Sequence, residues 1–513
     1  MALQINSMSP PALLHHSSPP SMSPPPPPLS FLSSSSSSSA YSRTSRRRRT
    51  AASALRTAHA SSPPPPASAA APAPAPEAVD EFWKWFRDRA GASRPAAVNP
   101  GFVPEGLGLV AQRSLSRNEV VLEVPKKMWI DSDAVAASDV GRVCSGLGAT
   151  WVPIALFLLR EEGMGQASPW YPYLRILPKE TNSPLFWSEE ELYQIQGTQL
   201  LSTTLSVKEY VQSVFVKVED EVILPNKHLF PSTITPLDFL SAFAIIRSRT
   251  FSGLRAENLA LIPLADLTNH NSSITSDASW EIKAKSLFSR ELIFSLQTPV
   301  SVTAGEQVYI QYDLQKSDAE LALDYGFIEM RPDRQAYTLT LEIAESDPFH
   351  GDKLDIAETN GLGETAYFDI VLGSSLPQFM LPYLRLLALG GTDAFLLESI
   401  FSNSIWDHLQ LPVSHANEKR ICDVVRNACK SALAAYITSI EEDEKLLSEG
   451  NLDPRLEIAV SVRVGEKKVL QQIDDIFRAR EEELGELEYY QERRLKDLGL
   501  AGEQGEIIFW EPK

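Results

Sequence analysis

Asp266 and His270 stand four residues apart in Ala265-Asp266-Leu267-Thr268-Asn269-His270-Asn271. That spacing could serve a metal ion or an acid–base pair. The eight histidines offer no second ligand in metal-ligand register, since His350 and His408 lie far off in differently patterned segments. The expectation is therefore no metal. The Asn269-His270 pair better suits fixed hydrogen bonds, either to a polar ligand or within a buried turn. Three other segments carry comparable hints. Pro104-Glu105-Gly106-Leu107-Gly108-Leu109-Val110 has glycines that let backbone groups approach a ligand closely. A phosphate-cradling loop would need a third glycine and an immediate helix, whereas a strand pattern follows here. In Val308-Tyr309-Ile310-Gln311-Tyr312-Asp313, alternation puts Tyr312 opposite Tyr309 at a strand end. Leu323-Asp324-Tyr325-Gly326-Phe327 places another tyrosine thirteen residues on. Taken singly, each segment is equally well explained by a tight turn or by core packing.

The elements that must position these residues read as follows. Val79, Phe82, Trp83 and Phe86 have helical spacing over Glu77–Ala90. Phe102–Pro125 reads as short strands, with Gly108–Ala111 and Val120–Val124 flanking a turn at Ser116-Arg117-Asn118. From Ala149 to about Ile245 the pattern is helical, with Trp/Pro-rich connections. Strand signals return at Leu292–Leu296 and Val308–Tyr312, with one more run at Ala336–Ile343. Long helical stretches follow at Gln378–Leu389, Glu418–Leu447 and Pro454–Leu498.

In this order, the Gly-x-Gly turn, the Asn-His pair, the strand-end tyrosine and the Tyr-Gly-Phe segment resemble the signature of SET-domain methyltransferases. The stretches Ala265–Phe327, Leu384–Leu397 and Glu488–Leu498 narrow the likeness to the plant plastid enzymes that methylate lysines of the Rubisco large subunit and of fructose-bisphosphate aldolase. The resemblance spans essentially everything after about Glu77. It implies an α+β chain: a SET β-fold with a pseudo-knot and a helical insertion at about 149–245, then an all-α C-terminal substrate-binding domain. Threading of that kind is uncommon. It also implies S-adenosylmethionine as methyl donor and a protein lysine as acceptor. Carried over by motif, Glu105, Gly106, Leu107, Arg249, Asn269 and His270 would hold the cofactor. Ser248, Arg249, Phe251, Asp266, Trp280, Tyr312, Tyr325 and Phe327 would line the lysine site, with Tyr312 the catalytic residue. The resemblance implies a SET domain over 78–335 and a mainly helical domain over 336–513, behind a plastid transit peptide (1–60) and a Pro/Ala-rich linker (61–77) that are read from composition.

Two departures bear on the substrate. Gly253 stands where some relatives carry an Arg, and Ala278-Ser279-Trp280 lacks the His that Rubisco-modifying relatives tend to show. The expected protein partner is therefore plastid fructose-bisphosphate aldolase, with the Rubisco large subunit second. The competing class is a catalytically silent SET-fold adapter. Loss of Tyr312 or of Asn269-His270 would favour it, and both are present.

Composition agrees independently. The first 76 residues hold no Asp, Glu or Lys, six Arg, 20 Ser and 16 Pro. A Ser-rich, Arg-bearing, acid-free head without an apolar stretch reads as an organelle transit peptide, its opening Met-Ala and Ser/Pro excess favouring the plastid over the mitochondrion, and with the resemblance this implies the chloroplast stroma. Removing its six Arg takes the net charge of the remainder from −19 to −25. So acidic a body lacks the basic surface that nucleic acid requires. The longest apolar run, around Trp151–Leu159, is far below the roughly 18–20 residues that span a bilayer, so no membrane partner is expected. Three cysteines preclude a disulfide framework, and Cys422 and Cys429, seven apart on one helical face, read as buried hydrophobes.

Overall fold

The computed structural model describes residues 74–91, 95–144, 149–254, 258–276, 278–284, 291–398, 401 and 404–500. The expected transit peptide and most of the Pro/Ala linker lie outside the described residues.

The first helix runs from Pro76 to Ala90, with Pro at its first turn and Gly91 closing it at φ 52°. Proline belongs there because that first N–H has no helical partner to lose. The helix buries Val79, Phe82 and Phe86, the stripe its periodicity implies. Among the described residues, four small sheets follow. The site-bearing one is ordered Val98–Val103, Gly106–Ala111, Gln307–Ile310, Asn269–His270. Two three-stranded sheets comprise Val120–Pro125, Leu292–Gln297 and Trp280–Ala284, and Ile130–Asp131, Asn258–Leu261 and Thr250–Leu254. The fourth is the hairpin of Ala336–Glu342 with Thr365–Val371. Val98–Val103 escapes sequence reading because it contains Pro100 and Gly101. It is an edge strand, where proline costs no ladder bond.

Between the second and third strand runs lies the expected helical stretch. It includes Trp151–Met164, Gln199–Val218 and Pro236–Arg249. The last starts on a reciprocal Thr235/Asp238 cap with Pro236 at its first position, and it delivers Arg249 to the site.

The C-terminal part is not purely helical, because the hairpin strand Thr365–Val371 packs beside Ala336–Glu342 with alternating burial. Two stretches expected to be continuous are broken. Glu418–Leu447 divides into His415–Leu433 and Ile440–Glu449, the second started by the Ser439/Glu442 capping box. Pro454–Leu498 ends first at Glu482 and resumes at Tyr490–Asp497. Among the described residues, two hydrophobic cores result. One gathers the sheets and the helical insertion, and the other gathers the hairpin and the late helices. The 29-residue helix Pro454–Glu482 belongs to both. It sends Ile458, Ala459 and Val462 into the first core and Val469, Leu470, Ile473 and Phe477 into the second. All three cysteines are free and buried.

Candidate active site

The short strand Asn269–His270 runs parallel to Tyr309–Ile310, Asn269 opposite Tyr309 and His270 opposite Ile310. The other edge of that strand pairs antiparallel with the Gly106–Ala111 strand, Val308 opposite Leu109. Three motifs separated by some 200 residues are thus stitched into one sheet. Gly108 is forced by this closeness. A Cβ there would collide with Gln307 Oε1 and come within 2.9 Å of Val103 Cγ2 and 3.0 Å of Asn269 Nδ2. Gly106 differs: at φ +112° it has nothing within 4 Å of where a Cβ would stand, so the strand's mouth is open.

Polar groups converge at that mouth. Asn269 Nδ2 donates to Leu107 O (3.2 Å) and to Gln307 Oε1 (2.7 Å). Gln307 Nε2 donates to Glu105 Oε2 (3.0 Å), and Tyr309 OH donates to Glu105 Oε1 (3.2 Å). Gln307 and Tyr309 were not singled out from sequence. Their signal was there, since residues two apart on a strand share a face, and Val308 and Ile310 take the buried one.

Tyr312 lies two residues beyond the end of its strand, Gln307–Ile310, rather than within it. Its hydroxyl donates to Thr268 O (3.0 Å), and its backbone N–H donates to His270 Nδ1 (3.3 Å). Burial pushes its pKa up to about 12, with Arg249 opposing and Asp266 and Glu105 reinforcing the rise. The phenol is therefore neutral. Its ring packs on Tyr325 (centroids 4.8 Å), His270 (5.4 Å) and Phe327 (6.2 Å). Burial raises the Tyr325 hydroxyl far above its ordinary value as well. His270 stacks on Phe327 at 5.0 Å, and burial holds its pKa below the usual value despite the adjoining Glu329 carboxylate.

Asp266 is completely buried and accepts from Tyr173 OH at Oδ2 (2.7 Å), while Oδ1 has no hydrogen-bond partner. Burial drives its carboxyl up to about 6 although Arg249 and Tyr173 pull the other way. Arg249 Nη1 donates to Asp266 O (3.0 Å) and stands 3.7 Å from Oδ2. Tyr173, 93 residues upstream on a four-residue helix, carried no sequence signal.

Three further expected lysine-site residues, Ser248, Phe251 and Trp280, make contacts of their own. Ser248 Oγ donates to Ala244 O of its own helix (2.8 Å). Phe251 and Trp280 gather on Phe294, with Phe251 at 4.6 Å and Trp280 stacked at 5.5 Å. Phe294 was missed from sequence. No ring contact among the described residues joins this aromatic group to the one around Tyr312.

A family model described as Rubisco LSMT substrate-binding matches residues 344–470. The chloroplastic [fructose-bisphosphate aldolase]-lysine N-methyltransferase of Arabidopsis thaliana is 64% identical over 439 residues, which is 85% of this chain and 91% of that protein. The chloroplastic Rubisco large subunit N-methyltransferase of Nicotiana tabacum is also 64% identical, over 85% of this chain and 89% of its own. A crystal structure of the SET domain of LSMT bound to lysine and AdoHcy superposes with TM-score 0.80 at 59% identity, covering 84% of this chain and 97% of that one. On these grounds the chain belongs to the chloroplast SET-domain protein N-methyltransferases typified by Rubisco LSMT.

Proposed function

We infer that this protein is an S-adenosylmethionine-dependent protein-lysine N-methyltransferase of the chloroplast stroma. The observation that carries the reading is the aromatic cluster of Tyr312, Tyr325, Phe327 and His270, tied to the open backbone at Gly106 by the sheet in which Gly106–Ala111, Gln307–Ile310 and Asn269–His270 are neighbours. The residues present fit the donor. The open backbone at Glu105-Gly106-Leu107 offers peptide groups, and the Glu105 carboxylate, Asn269 and Arg249 offer partners for an amino-acid portion. When bound, S-adenosylmethionine supplies an electrophilic methyl group on a positive sulfonium.

The chain must supply the rest. A free lysine has a pKa near ~10.4, so the nucleophile must be stripped of its proton. Enclosure by buried aromatic rings disfavours the ammonium form. Tyr312 has a specific role here. A carbonyl can only accept, so the Tyr312 hydroxyl proton is committed to Thr268 O. What remains is an oxygen with free lone pairs. It can accept an amine N–H and leave the nitrogen lone pair aimed elsewhere, which is orientation rather than base catalysis. Holding the amine in one pose supplies much of the rate.

The domain division at 335/336 belongs to this reading, with the late helices as the recognition surface for a folded substrate. Aldolase is placed first among substrates because the His expected before Trp280 is missing. The near-equal likeness to aldolase- and Rubisco-modifying relatives keeps the Rubisco large subunit as the second. The test is to incubate the protein with isotope-labelled donor and, separately, purified plastid aldolase and Rubisco, with mass spectrometry of each. Label on an aldolase lysine is expected. Label on Rubisco alone would overturn the substrate order, and label on neither, nor on any protein of a chloroplast extract, would overturn the activity.

A further inference from the structure

Glu329 lies just past Tyr325-Gly326-Phe327 and has no part in the chemistry above, yet it is held from every side. Its side chain is 1% exposed. Arg334, equally buried, donates to it through Nε (3.0 Å to Oε2) and Nη2 (2.9 Å to Oε1). Its own backbone N–H donates to Asp318 Oδ1 (2.8 Å) at the start of the helix Asp318–Tyr325. The next residue, Met330, sits at φ 57°, a left-handed conformation that a long side chain adopts at a cost. Arg334 also donates to Lys316 O (2.7 Å) and Asp313 O (2.8 Å), the carbonyls of the loop that follows Tyr312. Burial raises the Glu329 carboxyl, but Arg334 and His270 bring it below its ordinary value, so it is an anion at neutral pH.

This anion faces the Nε2 of His270 at 2.7 Å. On the other side of the ring, Nδ1 meets the backbone N–H of Tyr312. An amide N–H can only donate, so Nδ1 must be unprotonated. A neutral imidazole then carries its proton on Nε2, and that proton points at Glu329. The charged groups around the ring are Glu329, Arg334 and Arg331, and burial together with the two arginines outweighs Glu329 in keeping it neutral. The opposite tautomer would set two donors face to face at Tyr312 and leave Glu329 facing a lone pair.

We propose that Glu329 is a positioning residue for methyl transfer: gripped by Arg334, it fixes His270 as the Nε2–H tautomer, and the Nδ1 so freed anchors the Tyr312 backbone. The chain Arg334–Glu329–His270–Tyr312 thereby sets where the reactive hydroxyl stands against Thr268. The inference rests on the methyltransferase reading, but its spectroscopic arm does not depend on turnover.

The test compares wild type, Glu329→Ala and Glu329→Gln in the full chain. The readouts are kcat, KM for the protein substrate, thermal midpoint, and ¹⁵N imidazole spectra with the His270 signals assigned by their loss in His270→Gln. Wild type should show His270 as a neutral Nε2–H ring. Glu329→Ala should lose about 10–100-fold in kcat with KM within about threefold, and its His270 should become a mixture of tautomers. Glu329→Gln keeps an acceptor for the Nε2 proton, so it should retain the tautomer and most of kcat. If Glu329→Ala does not fold, the wild-type spectrum carries the test, since an Nδ1–H or mixed His270 there would overturn the proposal. Wild-type kcat in Glu329→Ala, a kcat loss of about tenfold or more in either variant with the tautomer unchanged, or equal losses in both with equally lowered midpoints would overturn the proposal. Failure of all three proteins to methylate would instead count against the methyltransferase reading, whatever the spectra show.

Discussion

Replacing Glu466 with Gln should flatten the pH dependence of stability. Glu466 projects from the long helix Pro454–Glu482 and accepts both from the Gln199 N–H (3.1 and 3.0 Å) and from Tyr436 OH (2.7 Å). The Leu200 N–H also donates to it. It thereby serves the first N–H groups of the 20-residue helix Gln199–Val218, with Thr198 taking the next at Leu201. The nearby cations are spent elsewhere, since Arg463 and Lys467 both grip Asp443. Complete burial without a cation of its own lifts the Glu466 carboxyl from the ordinary 4.5 to about 7, against the pull of Tyr436 and the two amides. The native state therefore holds this proton more tightly than the unfolded chain does. Its stabilising contribution is full below about pH 4.5 and is lost as pH rises through 7. At ~1.4 kcal/mol per pH unit, the loss across that window is about 3 kcal/mol. Gln cannot ionise. Its Oε1 can still accept from the two amides, and its N–H can donate to the Tyr436 oxygen. Asp266 and Asp318 also have carboxyls lifted to about 6, but they are common to both proteins and cancel in the difference. Urea unfolding at half-unit steps from pH 5 to 8.5 is the assay. The variant should gain on wild type steadily between about pH 5 and 7 and by a constant amount above. Curves that stay parallel throughout would refute the reasoning, because they would mean Glu466 is ionised in both native and unfolded states at pH 5.

Two further outcomes follow from the site. Tyr312→Phe removes only the hydroxyl that bridges to Thr268, so kcat should fall about 10²–10³-fold while cofactor affinity by calorimetry stays within about threefold; turnover near wild type would remove the orienting role. Gly108→Ala puts a methyl group against Gln307, Val103 and Asn269, and displacing the last should weaken cofactor binding about tenfold, ~1.4 kcal/mol; an unchanged Kd would show that Asn269 does not hold the donor.

What could be read from sequence was what short range dictates. The stripe of Val79, Phe82 and Phe86 declares its helix because periodicity is local, and the motif residues declare a sheet because their order along the chain is distinctive. What could not be read is what only tertiary contact creates. Glu329 is one of 66 acidic residues, and nothing nearby marks it. Its meaning comes from Arg334 at one end and from a histidine 59 residues upstream at the other. Tyr173 likewise reaches Asp266 across 93 residues. Overreading went the other way. Glu418–Leu447 and Pro454–Leu498 look continuous because Glu, Lys, Leu and Arg favour helix everywhere, whereas Ser439 with Glu442 decides where a new helix starts. Helix Pro454–Glu482 shows why such errors matter for function. Its first half packs into the core that carries the active site and its second into the core of the C-terminal part, while Glu466 between them caps a helix of the insertion. A surface that recognises a folded substrate is useful only if it stands at a fixed distance from Tyr312. On the function proposed above, a single rigid element shared by both cores would provide that distance. Sequence periodicity could announce the helix, but not that its two halves serve different cores.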